Sequence, residues 1–228
     1  MEQHFIDDAT FAPDFEEIRD QIRLDAYPEL EDEVRDLYDR CTEVARPRAV
    51  YGMVAVEECR EDRVRIDGRS FHSRALAVNL KDSSAVVAYV ATCGPEIDRI
   101  DLSSYDPLSE YWISILKEHA LRAVSSMLYA TVERRFGLAH LSQMNPGSAN
   151  VDVWPIAQQV ELFALFDGGT GTIGVRLTDS YLMVPDKSVS GVLFESATGY
   201  VNCHACDREN CPNRRAPFQP AHATSHNG

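Results

Sequence analysis

Hydrophobic positions recur with two different periods along the chain. From about Pro13 to Ala45 they fall at helical spacing: Ile18, Ile22 and Leu24, then Val34, Leu37, Tyr38 and Cys41, with Pro28 dividing two segments. After Arg46-Pro47-Arg48 the pattern changes, and Ala49 to Val56 has the β-branched content of a strand. Val64 to Ile66, a turn at Asp67-Gly68-Arg69, and Phe71 to Leu76 predict a hairpin. Ala85 to Thr92 reads as a second, buried strand ending in Cys93-Gly94-Pro95, and Pro95-Glu96 predicts a helix start. Leu108 to Phe136 is the longest helical pattern, free of internal Pro and Gly and closed by Gly137. A loop is expected over Ser142 to Pro155, then a shorter helix from Ile156 to Phe166 and a turn at Asp167-Gly168-Gly169. Ile173 to Leu177 and Val189 to Phe194 read as strands. With no repeat and no strict alternation of strand and helix, the order predicts an α+β fold rather than a doubly wound parallel sheet.

The segment Leu177 to Gly191 fits neither period. Thr178, Asp179, Ser180, Ser188 and Ser190 sit among apolar residues, punctuated by Pro185 and Gly191. Such side chains hydrogen-bond the backbone or a polar ligand rather than fill a core. Two readings stand for each. Asp179 and Ser180 either cap a turn between the strand at Leu177 and the Pro185 loop or face a ligand, and Ser188 and Ser190 are either turn residues or ligand contacts.

This segment resembles the activation domain of cobalamin-dependent methionine synthase. That family has a Leu-Thr-acid-Ser run before Met, Pro and Ser-Val-Ser-Gly, matched here by Leu177 to Ser180, Met183, Pro185 and Ser188 to Gly191. The strand Ala49-Val-Tyr-Gly, the run Val87 to Gly94, Pro146-Gly147, and Trp154-Pro155 to Phe163 follow in the family's order, so the resemblance spans most of residues 30–202. It implies a twisted, mainly antiparallel sheet with flanking helices. It also implies S-adenosylmethionine as methyl donor for the reductive remethylation of cob(II)alamin. The cobalamin would sit on a partner, a corrinoid-binding methyltransferase module such as methionine synthase, and a flavodoxin or ferredoxin-type reductant would supply the electron. The cofactor-binding candidates on this resemblance are Pro146, Gly147, Ser148, Thr178, Asp179, Ser180, Ser188, Ser190 and Tyr200. No catalytic base or nucleophile is implied, because orienting the methyl group is the protein's main contribution. The chain departs from the family at three places. Gln143 stands where the family has an Arg three residues before the Pro, Ser148 replaces a Tyr, and a helical Glu falls at Ser125 or Tyr129.

Composition narrows the classes. The 228 residues are 44% apolar, enough for a packed core, and 36 acidic against 22 basic side chains give a net charge of −14. That balance argues against nucleic acid and against anionic membranes as partners. No apolar run reaches the roughly 18 residues of a membrane span, and the start Met1-Glu-Gln-His-Phe-Ile-Asp-Asp lacks secretory signal features, so a cytoplasmic protein is expected. The six cysteines then read as thiols or metal ligands rather than disulfides.

Cys203-His-Ala-Cys206 and Cys211 form the second strong feature, and free-standing relatives of the activation domain end in a similar three-cysteine cluster. The spacing suits a structural zinc or an iron–sulfur cluster, with Cys93, His204, His222 or an exogenous group as fourth ligand; reduced thiols or a redox pair are the alternative. A metal there gives a second functional reading, a non-catalytic binding or electron-transfer accessory of a corrinoid protein. Cys93 precedes a predicted helix N-terminus, which favours a thiolate, although core packing is the simpler account. Arg208, Arg214 and Arg215 make a basic island, either a phosphate contact or a solvated tail. The expected layout is a helical segment over 1–45 packed on the main domain, an activation-domain-like core over 46–202, and a Cys-rich segment with a flexible tail over 203–228.

Overall fold

The computed structural model describes residues 1–148, 153–196, 199–211 and 214–219. A short strand, β1 (His4–Ile6), precedes the helical region. Asp14 caps α1 (Phe15–Ile22), its carboxylate accepting the Glu16 N–H at 3.0 Å, and Arg23 in the left-handed region ends it. Two single turns, Leu24–Ala26 and Pro28–Leu30, take up the interruption that Pro28 predicts, and α2 (Glu31–Val44) follows.

The strand expected at Ala49 is longer than the pattern indicates, β2 (Arg48–Arg60), and turns into the meander β3 (Arg63–Ile66) and β4 (Arg69–His72). The sequence predicts extended chain to Leu76, but β4 stops at His72. Ser73 is a helix cap: its Oγ accepts the Leu76 N–H at 2.9 Å, opening α3 (Arg74–Leu80). Ala85–Thr92 is β5, as expected, with seven of its eight residues buried, which is why its apolar run shows no alternation.

The helix expected at Pro95-Glu96 is only one turn, Ile97–Arg99. Asp98 is engaged by Lys117, and Asp101 accepts the Ser103 N–H at 2.9 Å, diverting the chain from helical geometry. The long helix is α4 (Ser109–Phe136), ended by Gly137 at φ 67°. Within the predicted loop after it lies an edge strand, β6 (Leu141–Met144), whose Ser142 and Met144 are buried. The next helical pattern yields a turn, Ile156–Gln158, and α5 (Gln159–Ala164). The Gly-rich turn winds on into α6 (Gly169–Thr172), which leaves only β7 (Arg176–Leu177) of the strand expected from Ile173. β8 (Met183–Val184) pairs back on β7, and β9 (Ser188–Glu195) completes the set.

The main sheet runs β4-β3-β2-β5-β9-β6, with β1 added beside β2, and every pairing is antiparallel. Alternation along the strands separates its faces. Val50, Val86, Ala88, Val90 and Val192 pack with Leu76, Leu80, Trp154 and Leu162 from the α3 and α5 side. Tyr51, Val87, Tyr89, Ala91 and Leu193 face Val124, Leu128 and Val132 of α4. A third cluster joins α1 and α2 to the start of α4 through Ile18, Leu37, Trp112 and Leu116. Residues 1–45 therefore contribute both a strand of the sheet and part of the core. Among the described residues no helix is long and apolar enough to cross a membrane.

Candidate ligand-binding site

The Leu177–Gly191 segment builds a hairpin, a corner and a strand. Thr178 closes the β7–β8 loop: its N–H donates to Leu182 O at 2.8 Å and its Oγ accepts the Leu182 N–H at 3.1 Å. Asp179 and Ser180 are exposed at the tip, and Tyr181 follows at φ 63°. Pro185, after a cis peptide bond, begins the corner. Ser188 Oγ lies 2.8 Å from Pro185 O and 2.9 Å from Thr92 Oγ1. Ser190, buried on the α5 face, donates to Gln159 Oε1 at 2.9 Å, and Gln159 in turn donates to Tyr181 O at 3.0 Å. Both serines are thus engaged by the protein itself.

Gly191 lies on the opposite face, where a side chain has no room. A Cβ there would stand 2.2 Å from Met144 O and 2.6 Å from Asn145 Nδ2. The absence of a side chain lets Asn145 lie across β9. Its amide donates to Tyr89 Oη at 2.7 Å and to Ser190 O at 2.8 Å, while its carbonyl accepts from Asn202 at 2.7 Å. Gln143, one step along β6, accepts from the hydroxyls of Tyr129 and Tyr89. Burial pushes the Tyr89 phenol well above its ordinary range, with the neighbouring Tyr129 adding to it, and burial raises Tyr129 as well. Both remain neutral hydrogen-bond donors at neutral pH.

Beside this network, between α4 and the β6–β9 edge, is an open cleft of about 610 Å³. Its wall includes Arg122, Ser125 and Tyr129 from α4, Gln143 from β6, Val189 from β9 and Arg215 from the C-terminal segment. A smaller cavity of about 110 Å³ adjoins it, lined by Tyr129, Gln143, Tyr200 and Arg215 among others. The volume of the larger cleft lies within the roughly 300–1,000 Å³ typical of small-molecule sites. Ser125 and Tyr129, the alternative α4 positions expected to stand in place of a family Glu, therefore line one cleft with Gln143 of β6. Tyr200 borders the same region. Pro146 is buried, and Gly147, at φ 76°, donates its N–H to Trp154 O at 2.8 Å, so the loop continues β6 directly out of the network. Ser148 N–H donates back to Asn145 O at 3.1 Å. Thr178, Asp179 and Ser180 stand apart, on the β7–β8 hairpin next to α5.

Sequence reasoning missed Tyr89 and Asn145. The signal for Tyr89 was a hydroxyl-bearing ring inside an otherwise Ala/Val strand; Asn145 carried none, because its role depends on the clearance above Gly191.

Cys203, Cys206 and Cys211 are half-buried free thiols. Among the described residues, no three His, Cys, Asp or Glu side chains gather in an arrangement that would hold a metal. Cys93 belongs to a different core cluster from Ala205, beside Cys203, and His222 lies outside the described residues. Nor is Cys93 a poised thiolate: only a single helical turn follows it, and burial pushes its pKa up to about 12. The residues as placed do not fit a zinc or iron–sulfur centre, and no chemical step is assigned to one. What the segment does hold is Arg214, whose guanidinium donates to the carbonyls of Cys203, Cys206, Ala216 and Arg208. The tail expected after Pro217 lies outside the described residues from 220 onward.

Two comparisons bear on this geometry. A crystal structure of the MetH reactivation domain bound to AdoHcy has the same fold, with a TM-score of 0.64 at 15% sequence identity, over 88% of this chain and 80% of that one. No curated protein sequence matches. A family model described as vitamin B12 dependent methionine synthase, activation domain, matches residues 153–215, from Val153 through the Thr178–Gly191 segment to Arg215. Over those residues the chain is similar to the vitamin B12-dependent methionine synthase activation domain, and over most of its length it carries the reactivation-domain fold.

Proposed function

We propose that this chain binds S-adenosylmethionine in the cleft between α4 and the β6–β9 edge and presents it to a corrinoid held by a separate methyltransferase module. The observation that carries this reading is the convergence of Ser125 and Tyr129 of α4, Gln143 of β6, Val189 of β9 and Arg215 of the C-terminal segment on one cleft of suitable size. The fold is shared with a domain whose crystal structure holds AdoHcy, the product such a transfer would leave. In the reaction, the methyl group passes from the sulfonium to the reduced cobalt while sulfur keeps the bonding pair, and a flavodoxin or ferredoxin-type donor supplies the one electron. This chain's own residues contribute position rather than acid–base chemistry. Tyr129 and Gln143, locked to each other and to Tyr89, form a rigid neutral floor. Val189 and Leu121 supply an apolar wall that limits water in the cleft. Pro146, Gly147 and Ser148 would lie alongside the ligand, and the hairpin tip at Asp179 and Ser180 would face the corrinoid module.

Isothermal titration with S-adenosylmethionine and S-adenosylhomocysteine tests the binding step. Absorbance of a cob(II)alamin-loaded methyltransferase module, mixed with this protein, S-adenosylmethionine and a reductant, tests the transfer. Saturable binding together with conversion to the methylated corrinoid is the expected result; no binding of either ligand, alone or with the module, overturns it. One observation favours a second reading. Tyr129 and Gln143 satisfy each other, so the cleft floor needs no ligand to complete its hydrogen bonds. A docking or electron-transfer accessory that binds the corrinoid module without S-adenosylmethionine would show complex formation and no ligand heat.

A further inference from the structure

The cleft contains three arginines, and their situations differ. Arg122 lies 3.5 Å from Glu118, a carboxylate that also has Lys187 at 3.9 Å. Arg214 is occupied by four main-chain carbonyls and serves to fold the C-terminal segment. Arg215 is exposed, and its guanidinium makes no hydrogen bond or ion pair among the described residues. Yet it is not on a loose tail. Its N–H donates to Cys203 Sγ at 3.3 Å, and the residue before it is the anchored Arg214. It lines both the large cleft and the small cavity beneath, next to Tyr129 and Gln143. Its charge is felt by both Tyr89 and Tyr129, where it partly offsets the effect of burial. In a chain of net charge −14, this is a positive group pre-positioned at a ligand-sized opening with its donors uncommitted among the described residues.

We infer that Arg215, carried to the cleft by the cysteine-bearing C-terminal segment, is the residue that recognises the carboxylate of the bound ligand. The inference rests on the reading that the cleft takes S-adenosylmethionine or its product, whose amino-acid end bears that carboxylate. Chemistry favours this assignment. A planar guanidinium pairs with a carboxylate through two parallel hydrogen bonds, whereas the Gln143 amide is neutral and already engaged by two tyrosines. The C-terminal segment then has a role that requires no metal. Cys203 and Arg214 hold Arg215 in place, so the cluster acts as a mount for a binding residue.

The test is calorimetric titration of wild type, Arg215→Ala and Arg215→Lys with two probes. S-adenosylhomocysteine has the carboxylate; 5′-methylthioadenosine keeps the adenosyl thioether and lacks the amino-acid end. Arg215→Ala should weaken S-adenosylhomocysteine binding by about 10-fold or more, the effect of a lost charge-assisted pair. It should leave methylthioadenosine unchanged, and Arg215→Lys should restore only part of the loss. Melting temperature should stay constant, because the side chain is exposed. Equal binding of S-adenosylhomocysteine by wild type and Arg215→Ala overturns the inference and leaves the proposed ligand intact. So does an equal loss for both probes. Failure of wild type to bind either probe overturns the proposed ligand and this inference together.

Discussion

A single missing side chain organises the site. Gly191 leaves the gap through which Asn145 reaches Tyr89 and Ser190, and the nearest obstacle to a Cβ is a backbone carbonyl that cannot swing aside. Gly191→Ala should therefore cost about 1–3 kcal/mol of stability, the usual range for overpacking, and weaken ligand binding by displacing Gln143. Chemical denaturation with titration of the same variant checks both; wild-type stability would contradict the geometry. The buried phenols give a pH dependence. Burial raises Tyr89, Tyr129 and, to about 12, Tyr200, so the folded state favours their protonated forms. Their contribution is complete below the ordinary tyrosine value of about 10 and is lost as pH rises through the folded values. Ultraviolet absorbance should show tyrosinate appearing late and together with alkaline unfolding. Gly191 and the two serines were visible in the sequence as an odd polar segment. Their purposes, clearance for one and anchoring for the others, depend on Met144, Thr92 and Gln159, all distant in sequence.

At the scale of elements, α4 joins two of the three core clusters and supplies one wall of the cleft. It is also tied by charge to the corner that leads into β9. Lys117 Nζ lies 2.5 Å from both Asp98 and Asp186 carboxylate oxygens, with its side chain only 10% exposed. Burial opposes the ammonium charge, but hydrogen bonds to Asp186 and Asp98 outweigh it and hold the lysine above its ordinary pKa. Asp186 is likewise depressed: burial works against its charge, and the Lys117 bond overcomes that. Lys117→Met should destabilise by about 1–3 kcal/mol, less than a fully enclosed pair because both carboxylates keep contact with water. The Asp186 contribution is present above the ordinary aspartate value of about 3.9 and fades as pH falls through its lowered value. Denaturation midpoints at neutral and acid pH for wild type and Lys117→Met check this. The variant's deficit should shrink on acidification, and a constant deficit would exclude the ion pair as its cause. The helices and central strands were legible in the pattern. Strand β6 was not, since Leu-Ser-Gln-Met has too few residues to display a period and gains its identity from pairing with β9.

For the whole molecule, stability should grade outward from β5. That strand pairs with β2 and β9 and is covered on both faces, whereas β7–β8 is a two-residue pair at the surface. Hydrogen exchange should show β5 amides exchanging only through global unfolding and those of the 178–182 loop through local opening. Equal protection of the two regions would refute this gradient.

The sequence alone determined the parts whose physics is local or whose pattern is long. A 28-residue helix, an eight-residue apolar strand, a net negative surface and the polar segment at Thr178–Gly191 each announce themselves within one stretch of chain. The tertiary structure decided how distant residues share work. It brought Tyr129, Gln143, Val189 and Arg215 to one cleft, engaged Ser188 and Ser190 with the protein, and separated Cys93 from the C-terminal thiols. Those outcomes depend on strand register and on which face each side chain takes, and such relations exist only after the sheet has closed around β5.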